Sequence, residues 1–166
     1  MNSHPLRRLV APVLGASLLL GSAGIAAAAS PGTPATVVVD PYYCTLSDYE
    51  GNPIESGVIP KGADVLIFQG WFASTQGQVQ SFLNNVNWVL AVNGQSVNLT
   101  PTLSDIYNLR PGLWAVFFTY DAGPAGGKKF TTHYDNVMRS STYDGVVHWT
   151  KGSLYNGGID CSFTVR

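Results

Sequence analysis

The sequence predicts an all-β fold, an antiparallel sandwich of about eight short strands with one short helix, closed by one disulfide. Three observations carry that expectation. Apolar residues recur with period two in a series of short segments, turn signals rich in Gly, Pro, Asn and Asp separate those segments, and a single segment switches to the period of a helix.

The elements follow in order after an N-terminal stretch that has the form of an export signal. Arg7 and Arg8 precede the apolar run Leu9 to Leu20, and small residues follow, ending in Ala26-Ala27-Ala28-Ala29. Ala27-x-Ala29 satisfies the small-residue rule of signal peptidase, so residues 1–29 are expected to be a cleaved signal peptide and 30–166 one secreted, extracellular β-sandwich domain. The form of the signal is bacterial. Arg7-Arg8 leaves twin-arginine export open beside the general route, and no Cys follows the run to carry a lipid. Residues 30–35 form a short leader.

Thr36 to Val39 begins the first strand, and residues 47–62 read as loop around Gly51-Asn52-Pro53 and Pro60-Lys61-Gly62. Asp64 to Phe72 is apolar on both faces, which suits a central strand. Val79, Phe82, Leu83 and Val86 fall at i, i+3, i+4 and i+7 and predict a helix over 77–86. Asn87 to Val92 and Gln95 to Leu99 flank Asn93-Gly94, a strong hairpin signal because both turn positions require positive φ. Leu113 to Tyr120, Phe130 to Tyr134 and Val146 to Thr150 read as strands, with Asp121 to Lys129 an open loop. In the last strand Ile159, Cys161, Phe163 and Val165 share one face.

This strand series from Val37 to Val165, with Trp71 and Trp88 in early strands and the closing Cys161-Ser162-Phe163-Thr164-Val165, resembles an immunoglobulin-like β-sandwich of secreted bacterial proteins. The resemblance implies architecture and no activity, since this fold hosts many functions. It departs from antibody-type domains, which bridge facing central strands. Here the cysteines lie near the chain ends, and the helix is an addition.

Cys44 and Cys161 are the whole cysteine inventory. An even count in an exported chain predicts a disulfide between them. Loss of Arg7 and Arg8 from nine basic residues leaves seven against ten acidic ones, a formal charge of −3. No basic patch is available for phosphate, so nucleic acid is not an expected partner.

Catalytic motifs are lacking. There is no Gly-x-Ser-x-Gly, and the two glutamates, Glu50 and Glu55, share one polar loop. No cofactor motif is present. His133, Asp135 and His148 could hold a metal if neighbouring strands brought them together, which would make a small secreted hydrolase or metal-binding enzyme. Against that, inward Phe130, Thr132 and Tyr134 would turn His133 to solvent. Asp48-x-Glu50-x-Asn52 is only a fragment of a calcium loop. Rings in loops or near strand ends, Tyr49, Tyr143, Trp149 and Tyr155, could form a platform for a carbohydrate or cell-wall ligand. The sequence therefore favours a secreted, non-enzymatic binding or structural domain with no cofactor and no retained membrane segment, its partner an extracellular protein or glycan. A partner-binding loop at 121–129 is a third possibility.

Overall fold

A computed structural model describes residues 35–166 of the chain. The expected signal peptide, 1–29, lies outside the described residues. The first elements are β1 (Thr36–Asp40), β2 (Thr45–Asp48), β3 (Val58–Ile59), β4 (Asp64–Ala73) and α1 (Gln76–Asn85). They are followed by β5 (Val86–Val92), β6 (Gln95–Val97), a 3-10 turn at Thr100–Thr102, β7 (Tyr107–Arg110) and β8 (Leu113–Pro124). The remainder is β9 (Lys129–Met138), β10 (Thr142–Tyr143), β11 (His148–Trp149), β12 (Gly152–Ser153) and β13 (Ile159–Val165).

These strands build two main sheets. The first has the order β2-β1-β4-β8-β7, and the second has the order β3-β13-β9-β5-β6 with β12 beside β9. The fold is β-rich with one α-helix, as the sequence predicts, but the sheets are mixed rather than wholly antiparallel. β1 pairs with β4 in parallel, and β3 pairs with β13 in parallel. The cause is the path of the chain. After the β1–β2 hairpin it crosses to the second sheet for β3, then returns to the free side of β1 as β4. Turn residues report where a strand ends and not which neighbour it will take.

The two sheets pack face to face. Val37, Val39, Val65, Ile67 and Phe118 from the first meet Leu90, Val92, Phe130, Tyr134, Phe163 and Val165 from the second in one buried cluster. Cys44, in the turn after β1, is joined to Cys161 in β13 with a Cα–Cα distance of 5.3 Å, so the disulfide ties one sheet to the other.

A second cluster closes the end of the sandwich. Thr75 caps α1 by accepting the Gln78 N–H, and the helix buries Val79 and Phe82. The Phe82 ring stacks on Trp71 at 3.7 Å between centroids. Val86, the last apolar position of the helical pattern, is instead the first residue of β5, and it remains buried in this cluster. The hairpin at Asn93-Gly94 forms as expected, with φ of 50° and 79° and Val92 opposite Gln95.

Other boundaries move. β8 runs on to Pro124, where it pairs with Asp64, so most of the expected loop at 121–129 is strand. The expected strand at 146–150 shrinks to His148–Trp149, because Asp144 accepts the Val146 and Val147 N–H groups and turns the chain there. Among the described residues, no helix is long and apolar enough to cross a membrane.

Candidate functional site

The outer face of the first sheet is set by the alternation of β4. Val65, Ile67, Trp71 and Ala73 are buried on one side, so Phe68, Gly70 and Phe72 fall on the other, where nothing covers them. Phe68 is 41% exposed and Phe72 46%. The ladder to β8 places Thr119 beside Phe68, Phe117 beside Gly70 and Ala115 beside Phe72. Tyr107 of the edge strand β7 pairs with Ala115 and is 49% exposed.

Four rings therefore share one surface, centred on Phe117. Its centroid is 5.3 Å from Phe68, with the planes 19° apart, and 6.5 Å from Tyr107, with the planes 33° apart. Phe72 stands on edge to it at 5.8 Å and 78°. Gly70 makes this arrangement possible. A Cβ there would come within 2.6 Å of Phe117 Cδ1 and 2.8 Å of Cε1, so the ring lies across the bare backbone of the neighbouring strand. Glycine weakens the middle of a strand by roughly 0.5–1 kcal/mol relative to alanine, and here that cost keeps a ring flat on the sheet.

The surface carries little charge. Gly70, Thr119 and Ala115 fill the positions between the rings. Asp121 lies at one end, paired with Leu66, and Arg110 ends β7 at the other.

The residues singled out in the sequence are scattered by comparison. His133 Nδ1 lies 2.9 Å from Asp160 Oδ1 across the β9–β13 ladder, and its ring occupies the place a Cβ on Gly158 would take. With Thr131 and Ser162 this pair lines an open depression of about 290 Å³. No serine or threonine hydroxyl is hydrogen-bonded to the His133 ring among the described residues. Asp135 is buried, with Oδ1 lacking a partner, and His148 stacks on Tyr143 at 4.4 Å. His133, Asp135 and His148 do not meet, and among the described residues no three His, Cys, Asp or Glu side chains are placed to share a metal ion.

The four loop rings do not form one platform either. Tyr49 is 75% exposed, in the turn after β2. Its neighbour Asp48 is held below its ordinary pKa by the Asn52 side chain and by backbone N–H groups. Tyr143 is exposed and donates to the Gly145 carbonyl. Trp149 is part-buried against Trp71 and donates from Nε1 to Asp144 at 2.7 Å. Tyr155 packs between Tyr42 and Tyr134, accepts from Asn136, and has its phenol pushed above its ordinary pKa by burial.

Sequence reasoning missed Phe68, Phe72, Phe117 and Tyr107. The signal was a glycine between two phenylalanines at spacing two, which marks a close approach on one strand face. No family model, curated protein or solved structure matches the chain.

Proposed function

We propose that the chain is a secreted, non-enzymatic binding domain, and that it binds through the outer face of the first sheet. The observation supporting this most directly is the group of Phe68, Phe72, Phe117 and Tyr107, held on paired strands and left in water. At roughly 200 Å² for a whole ring, their exposed part amounts to about 300 Å², the scale at which an apolar patch on a monomer is often functional. Covering it would return about 7 kcal/mol before the costs of association. The strands already fix the rings, so little order remains to be imposed on binding.

The architecture is read as immunoglobulin-like in the broad sense of two packed sheets tied by a disulfide. The parallel ladders set it apart from antibody-type domains. The signal features of residues 1–29 and the Cys44–Cys161 bridge support export.

The test compares wild type with a Phe68→Ser, Phe117→Ser double variant on a panel of extracellular polymers and surface proteins. Retention of the wild type, lost in a variant that still melts cooperatively, is the expected result. Retention that survives the double change, or turnover of ester, amide or glycoside substrates that disappears in His133→Ala, overturns the proposal. Exported protein should begin at Ser30 by intact mass.

A further inference from the structure

We infer that the ligand of this face is an uncharged, extended polysaccharide whose sugar rings lie on Phe68, Phe117 and Tyr107. The inference rests on the binding reading above and adds the class of ligand. The three rings come from three adjacent strands, β4, β8 and β7, and form a row across the sheet with centroid steps of 5.3 and 6.5 Å. Those steps are comparable to the repeat of an extended pyranose chain. Successive ring planes in the row differ by only 19° and 33°, so their faces offer a continuous track. The C–H faces of a pyranose are apolar and flat, and they stack on aromatic faces. The exposed hydroxyl of Thr119, beside Phe68, stands where a sugar hydroxyl can be met.

Charge and area narrow the choice. No charged side chain stands among the rings, and the ends carry one acid, Asp121, and one base, Arg110. A polyanion or polycation would find no complementary field there. The exposed ring area of about 300 Å² is less than half of the roughly 800 Å² that each partner contributes to a standard protein interface, which argues against a second copy of the chain as the occupant. The track is also built rather than incidental, because Gly70 lets Phe117 lie down. Any side chain at position 70 would lift that ring out of line with its neighbours.

The experiment is affinity electrophoresis of the disulfide-bonded domain in native gels containing hydroxyethylcellulose, laminarin or mannan, with alginate as the charged comparison. Retardation in at least one neutral polymer and none in alginate is expected. Phe117→Ala should weaken it about tenfold or more, as the loss of one stacked ring implies. Gly70→Ala should weaken it several-fold with little effect on melting, since the atoms it displaces belong to a movable side chain. Tyr49→Ala, off this face, should change nothing. If Phe117→Ala is poorly folded, Gly70→Ala and Phe68→Ala carry the test. Absence of retardation in every neutral polymer overturns the inference. So does loss, in the face variants, of binding to alginate, to phosphatidylglycerol vesicles or to a second copy in sedimentation, although the binding reading then stands. Binding to a neutral polymer that persists in all face variants overturns both.

Discussion

Asp40 shows how single groups are balanced inside this sandwich. Its Oδ1 accepts from the Tyr42 and Tyr43 N–H groups and from Gln69 Nε2. Burial nevertheless raises its pKa above the ordinary 3.8, with the Tyr43 and Tyr42 N–H groups pulling the other way. The folded state therefore holds the proton more tightly than the unfolded chain. Stability falls as pH rises through the interval above 3.8, and the group costs nothing below it. Asp40→Asn keeps the Oδ1 acceptor and removes the buried charge. It should melt higher than wild type at pH 7, with the two melting together below pH 3.8; a lower melting point at pH 7 contradicts this account. None of this was legible in the sequence, where Asp40 was one polar residue before Pro41. The same holds for Gly70, whose role depends on Phe117, a residue 47 positions away that only strand pairing brings to it.

At the scale of elements, local signals served where local chemistry decides. Asn93-Gly94 needs two positive φ angles and formed its hairpin, and Cys161 fell on the buried face of β13 as the alternation required. Helix α1 was visible from its apolar spacing. Its Thr75 cap makes a measurable claim: Thr75→Ala should cost about 1 kcal/mol in urea unfolding, and a neutral effect would mean that packing of Phe82 on Trp71 holds the helix alone. Legibility failed where pairing is tertiary. β2 and β3 lay in a stretch rich in turn residues, and β7 is exposed throughout, so neither pattern nor composition marked them. β4 shows the limit most clearly. Its two apolar faces predicted a central strand, and it is central, between β1 and β8. The expectation that both faces are buried failed, since Phe68 and Phe72 are left in water.

Across the whole molecule, the disulfide is the one covalent link between the sheets. It spans 117 residues, so chain entropy gives it up to about 4–5 kcal/mol. Cys44→Ser with Cys161→Ala should lower unfolding free energy by up to that amount while preserving the sheets; unchanged stability would show that the core alone holds them together. Two packed faces account for the fold, and only one outer face carries exposed rings on three neighbouring strands. That asymmetry is the basis of the functional reading. The most direct test is NMR of the aromatic side chains while a neutral β-linked oligosaccharide is added. Shifts concentrated on Phe68, Phe117 and Tyr107, with His133 and Tyr143 unmoved, are the predicted result. Shifts centred on the His133–Asp160 depression, or none at millimolar oligosaccharide, would contradict it.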